Sequence, residues 1–195
     1  MIRIFDILIS AIGIILLIPL FLIIALLNYV LQGAPVFYLQ DRVGKNEKIF
    51  RIIKFRTMKT NGKNYMKITL ADDNRVTKFG RILRKYKLDE LPQLVNVLLG
   101  NMSMVGPRPE VPKYIQYYLT DRKLFFSRKP GITDFASIVY RNESNILSDK
   151  KDPETYYVEI LIPKKISLNM EFITNPSIFN YFKVIYLTIL AIFRK

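Results

Sequence analysis

The residues of this chain best placed to do chemistry are the adjacent acids Asp89 and Glu90, which precede an apolar helical pattern of Leu91, Leu94, Val95 and Leu98. Pro92 suits the first turn of that helix and Gly100 its end. A carboxylate at a helix amino terminus meets free N–H groups and partial positive charge, which keep it ionised, and an ionised Asp is a nucleophile toward phosphorus. Acids are also favoured in first turns for helix stability alone, so the surroundings must decide between the two readings. Those surroundings are basic. Lys54, Arg56, Arg84 and Arg108 are point charges and planar forks of the kind that hold phosphate oxygens. Arg108 is aimed by its neighbours Pro107 and Pro109, which fix the backbone and reduce the entropy lost on binding an anion.

What the chain lacks narrows the chemistry further. It contains no Cys and no His, which removes disulfides, thiolate nucleophiles, the usual zinc sites and imidazole acid/base catalysis. A metal here would be a hard cation held by oxygen, of which Mg²⁺ is the natural choice. Neither a Walker glycine loop nor a Gly-x-Gly-x-x-Gly run occurs. Lys and Arg number 30 against 16 Asp and Glu, a formal charge of +14 that calls for polyanionic partners such as anionic lipid, nucleic acid or phosphorylated substrates. The aromatic run Tyr114, Tyr117, Tyr118, Phe125 and Phe126 reads as core or interface packing and carries no nucleic-acid signature.

These groups need elements to hold them. Ile7 to Leu27 is free of charge and as a helix covers roughly 30 Å, enough for the hydrocarbon core of a bilayer and longer than the apolar stretch of a signal peptide. Pro19, near its middle, removes a helical hydrogen bond and predicts a kink, which leaves a spanning and a re-entrant helix both open. The chain divides into a membrane-anchoring helix, 1–31, and a basic body, 32–195, that belongs on the cytoplasmic side by the positive-inside rule.

Within the body, Val36 to Leu39 and Ile49 to Phe55 read as strands around a turn at Gly44-Lys45-Asn46, and Thr57 to Asp73 as a long loop. Phe79, Ile82, Leu83 and Tyr86, with Lys78, Arg81, Arg84 and Lys85 around them, describe a basic amphipathic helix suited to a headgroup layer. Met102 to Val105 reads as a short strand, Lys113 to Phe126 as a helix and Ile132 to Tyr140 as a strand. Pro153 onward reads as short helices, the last of them an apolar docking or interfacial helix, Phe179 to Phe193. The fold class is α+β and mostly helical, with a small sheet.

Taken together, Lys54-Phe55-Arg56-Thr57-Met58, Leu88-Asp89-Glu90-Leu91-Pro92-Gln93-Leu94, Asn96-Val97-Leu98, Met102 to Glu110 and Lys129-Pro130-Gly131-Ile132-Thr133 resemble the bacterial sugar transferases known as monotopic phosphoglycosyl transferases. The resemblance implies transfer of a sugar phosphate from a UDP-sugar to a polyprenyl phosphate with release of UMP. It implies Asp89 as a covalent nucleophile, Glu90 beside it in Mg²⁺ binding and proton handling, the four basic residues on phosphate, and Pro107-Arg108-Pro109 at the nucleotide. It also implies a membrane helix that re-enters the cytoplasmic leaflet, broken at Pro19, in a bacterial inner membrane. Asp134-Phe135-Ala136-Ser137-Ile138 departs from the family's usual continuation after Pro-Gly-Ile-Thr, which bears on the sugar accepted. The alternatives are a membrane-tethered basic binding protein and a non-catalytic scaffold.

Overall fold

The apolar segment forms α1, Ile2–Gln32, a 31-residue helix about 46 Å long that continues through Pro19 and stops at Gly33. It is the one helix, among the described residues, long and apolar enough to cross a membrane. The computed structural model describes residues 1–59, 70, 73–119 and 121–193. A soluble amphipathic helix buries its apolar stripe, but α1 is inverted: Asp6, Ser10 and Asn28 are buried while Leu8, Ile15, Leu16, Leu22 and Leu26 are exposed. The buried polar groups are bonded to the body at both ends. Arg3 donates to the carbonyls of Val97 and Leu98 at 2.5 and 2.8 Å. Asp6 Oδ1 accepts from Ser103 Oγ, the Met104 amide and the Tyr181 hydroxyl at 2.8, 2.8 and 2.9 Å. At the far end Asn28 Nδ2 donates to the carbonyls of Val36 and Arg56, both at 3.0 Å.

The body carries two small sheets. Strands β1 (Phe37–Val43) and β2 (Ile49–Phe55) form an antiparallel hairpin in the register Phe37↔Phe55 to Val43↔Ile49, closed by a 3-10 turn at Lys45–Glu47. Next come α2 (Lys78–Lys85), a 3-10 turn at Leu88–Glu90 and α3 (Gln93–Leu99). Strand β3 (Ser103–Val105) then pairs in parallel with β4 (Gly131–Thr133), which lies beyond α4 (Arg122–Phe125). The second pairing depends on glycine: a Cβ at Gly131 would sit 2.1 Å from the Gly106 amide nitrogen. Helices α5 (Phe135–Val139), α6 (Glu143–Ser148), α7 (Pro153–Tyr156), α8 (Ile162–Thr174) and α9 (Ile178–Phe193) complete the body, with a π turn at Tyr157–Leu161 before α8.

Two sequence expectations need correction. The segment Lys113 to Phe126 is a 3-10 stretch, Pro112–Tyr117, followed by α4, not one helix. In a continuous helix Tyr118 would stand roughly 10 Å along the axis from Phe125, too far for ring contact. The break lets the Tyr118 ring reach Phe125 and Phe126, with centroids 5.0 and 5.1 Å away, inside the main core. Ile132 to Tyr140 is strand only as far as Thr133. Asp134 then caps α5 by accepting from the Ser137 amide at 2.5 Å, and a cap of this type starts a helix even in a run of β-formers. Most of the expected loop from Thr57 to Asp73 lies outside the described residues; inside them, Met58 pairs with Val76.

Candidate active site

Asp89 and Glu90 sit on the 3-10 turn, one step before α3, whose amino-terminal cap is Pro92. Lys87, in the left-handed conformation at φ 57°, swings the chain from α2 into this turn. The Glu90 and Leu91 amides are spent on the carbonyls of Lys87 and Leu88, both at 3.3 Å. The acids therefore owe little to a helix terminus, contrary to the sequence expectation. Leu88 packs against the buried cluster of Ile24 of α1, Phe55 and Leu83, against which Leu20 and Phe21 of α1 also pack, so the anchoring helix supports the turn.

Side chains from separate elements converge on the pair. Glu90 Oε1 accepts from Lys54 Nζ of β2 at 2.8 Å and from Arg108 at 2.5 Å, and Oε2 accepts a second Arg108 bond at 3.2 Å. Burial pushes the Glu90 carboxyl upward, but Arg108, Lys54 and Lys87 outweigh it and hold Glu90 well below the usual carboxylate range. Asp89 goes the other way: burial and then the Glu90 charge raise it, against the pull of Lys54, Arg84 and Lys87. Asp89 is buried, and its Oδ1 has no hydrogen-bond partner. Arg84 reaches the site from α2, its Nε donating to Thr57 Oγ1 at 2.9 Å. This contact requires close approach, for a Cβ at Gly80 would lie 2.2 Å from the Thr57 carbonyl oxygen. Burial depresses the Arg84 guanidinium, with the Asp89 charge opposing.

Lys54, Arg84 and Arg108 thus surround the acids. Arg56 borders the same cleft, but its terminal nitrogens donate to the carbonyls of Gln32, Gly33 and Ala34 at 2.6, 2.5 and 3.0 Å, holding the end of α1. Pro107 and Pro109 offer carbonyls, the first to the Gly131 amide and the second to Arg42, both at 3.0 Å. The cleft has a volume of about 1080 Å³, and its lining includes Lys54, Asp89 and Arg108 together with Tyr140, Asn145, Lys165 and Asn169. Its lining also holds a group that sequence reasoning missed: Glu110 Oε2 accepts from the Tyr118 and Tyr157 hydroxyls at 3.0 and 2.7 Å. Glu110 adjoins the Pro-Arg-Pro run and could have been found there, whereas nothing in the sequence links it to Tyr157.

No group of three or more acids gathers at one point among the described residues. Mg²⁺ does not need one, since it takes one or two carboxylates and completes its shell with substrate phosphates and water. Asp89 Oδ1, buried and unpartnered, is a hard oxygen of the kind such an ion takes, while both Glu90 oxygens already accept from Lys54 and Arg108.

The amino-acid sequence that builds this site also matches a known family. A family model described as bacterial sugar transferase covers residues 1–195. The chain belongs to the bacterial sugar transferase family. It is 36% identical over 173 residues to the exopolysaccharide production protein ExoY of Sinorhizobium fredii, covering 80% of this chain and 76% of that protein. A UDP-N-acetylgalactosamine-undecaprenyl-phosphate N-acetylgalactosaminephosphotransferase of Aeromonas hydrophila is 38% identical over 160 residues, 79% of this chain and 38% of the relative. The UDP-glucose:undecaprenyl-phosphate glucose-1-phosphate transferase of Escherichia coli is 34% identical over 190 residues, 94% of this chain and again 38% of the relative. The chain thus spans under half the length of those two relatives. As a bacterial sugar transferase it is an enzyme, which sets aside the tethered binder and the scaffold.

Proposed function

We propose that this bacterial sugar transferase moves a sugar-1-phosphate from a UDP-sugar to a polyprenyl phosphate such as undecaprenyl phosphate, releasing UMP, at the first membrane step of a surface glycan. The observation that carries the reading is Asp89 Oδ1, buried and unpartnered in a cleft ringed by Lys54, Arg84 and Arg108. An Asp89 oxygen bonds to the sugar-bearing phosphorus, the bond from that phosphorus to UMP breaks, and UMP leaves with the electron pair. A phosphate oxygen of the lipid then attacks the same phosphorus and frees Asp89. Splitting the transfer this way avoids bringing two phosphorylated substrates together in one step. Lys54, Arg84 and Arg108 offset the phosphate charge, the main task in phosphoryl transfer, while Glu90 holds Lys54 and Arg108 in place. Mg²⁺ bound through Asp89 and Glu90 would add to that charge compensation. Pro107-Arg108-Pro109 faces the nucleotide, and Arg56 serves by fixing the end of α1 against β2.

Residues 1–31 act as the anchor and residues 32–195 as the catalytic body on the cytoplasmic face. In this reading α1 stays in one leaflet, re-entrant about Pro19, which is supported by Arg3 and Asp6 at one end and Asn28 at the other bonding to the same body. Exposed Ile82 and Tyr86 on and after α2, and Phe179, Phe182 and Tyr186 on α9, rest at the interface.

The test is a donor-only reaction. Incubated with a UDP-sugar and Mg²⁺ but no lipid, the enzyme should release UMP once per active site and gain the mass of a sugar phosphate on the peptide containing Asp89. Chelation by EDTA should abolish this, and Asp89→Asn should eliminate both signals. Full turnover by Asp89→Asn would overturn the covalent route.

A further inference from the structure

Pro107-Arg108-Pro109 has one backbone donor, because proline lacks an N–H: the amide of Arg108. That amide donates to Asp134 Oδ2 at 2.6 Å. The other oxygen of the same carboxylate, Oδ1, accepts from the Ser137 amide and starts α5. Asp134 is 3% exposed, so it holds both bonds out of reach of competing water. Immediately before this link the backbone is tied to β4, through the Gly106 amide on the Thr133 carbonyl and the Gly131 amide on the Pro107 carbonyl, both at 3.0 Å. The Arg108 side chain leaves from this anchored backbone and grips both oxygens of Glu90.

We propose that Asp134 is a positioning residue for the transfer reaction: by accepting the Arg108 amide it sets the direction in which the Arg108 guanidinium meets Glu90 and the donor's phosphates. The inference rests on the proposed function of Arg108. The α5 cap and the Arg108 clamp use different oxygens of one side chain, and this makes them separable by mutation. Serine caps a helix as well as aspartate but has a single oxygen. Asp134→Ser therefore keeps the cap and loses the clamp, while Asp134→Gly loses both.

In a two-step reaction kcat/KM for the UDP-sugar reports the first step alone, and kcat/KM for the polyprenyl phosphate the second. Asp134→Ser should keep the wild-type unfolding midpoint and lower kcat/KM for the donor by roughly ten- to a hundredfold, the scale of a small misplacement at a reacting centre. Its kcat/KM for the lipid acceptor should stay near wild type. In an Arg108→Ala background the same substitution should change donor kcat/KM less than twofold, because the group it acts through is gone. An equal fall in both constants, or the same fold-loss with and without Arg108, would show a role in stability alone and overturn the proposal. If Arg108→Ala itself spares donor kcat/KM, the assignment of Arg108 is what fails. If Arg108→Ala is impaired and folded Asp134→Ser is not, this inference fails alone. Should Asp134→Ser not fold, Asp134→Asn, which keeps one acceptor oxygen for the cap, is read by the same criteria.

Discussion

Covalent neighbours, Asp89 and Glu90 are driven in opposite directions by what lies around them. Glu90 is locked to Lys54 and Arg108 and stays charged, whereas Asp89 keeps an oxygen free and is raised by burial and by Glu90. A raised carboxyl is a better base, and an unpartnered oxygen is one that loses no hydrogen bond on meeting phosphorus. In the cleft lining, burial foremost, and then the Glu110 charge, lift the Tyr118 and Tyr157 phenols well above their ordinary value of 10.0. Above that value the unfolded chain releases these protons and the native chain keeps them, so stability falls as pH rises. Each such tyrosine contributes a slope of about 1.4 kcal/mol per pH unit until its native pKa is reached. Equilibrium unfolding above pH 10 should show this decline, and Tyr118→Phe should make it shallower; an unchanged slope would remove Tyr118 from the account.

At the scale of elements, α1 is held by buried polar bonds in addition to the apolar packing of Ile24 and its neighbours. Asp6 is central, since its Oδ1 meets β3 through Ser103 and Met104 and α9 through Tyr181. Asp6→Ala would strand these donors in a dry interface, a loss of about 2–4 kcal/mol in unfolding free energy measured in detergent. Glycine sets a second joint. Gly131→Ala would press a methyl onto the Gly106 backbone and force β3 from β4. Pro107 and Arg108 follow directly after β3, and Pro107 accepts from the Gly131 amide, so donor-dependent UMP release should fall along with the unfolding midpoint, the latter by an amount corresponding to roughly 1–3 kcal/mol. Wild-type stability in this variant would contradict the close strand packing.

In the proposed reading the molecule turns its exposed apolar surface to lipid. Leu16 on the exposed stripe of α1 is 72% exposed, and the partly buried Phe5 joins α1 to α9, its ring 5.1 Å from that of Phe182. Both ends of α1 are tied to one body, so both ends should lie on the same side of the bilayer. Single cysteines placed at Ile2 and Gln32 in this thiol-free chain should each label from the cytoplasm in intact cells. Labelling of position 2 from outside would establish a spanning helix. In flotation with vesicles, Leu16→Lys should weaken membrane partition while leaving the body folded, because the residue touches solvent-side surface and no core.

Much of this was legible in the residues themselves. An uncharged run from Ile7 to Leu27 marks a helix long and apolar enough to cross a membrane, and the period of Leu91, Leu94, Val95 and Leu98 marks α3, with Gly100 ending it in the left-handed conformation. The acid pair and its cations were visible because charge and residue type are local properties. Tertiary structure decided which side chains meet. Arg56 and Arg84 look alike in sequence, yet one holds the end of α1 and the other faces Asp89. The segment after Thr133 has β-forming residues, but Asp134 caps it into a helix and takes the Arg108 amide as well. Hydrogen bonds and burial of this kind join residues far apart in the chain, and no period or propensity carries information about such distances. For the same reason the ionisation of Asp89 and Glu90, which depends on burial and neighbouring charge, belongs to the folded molecule alone.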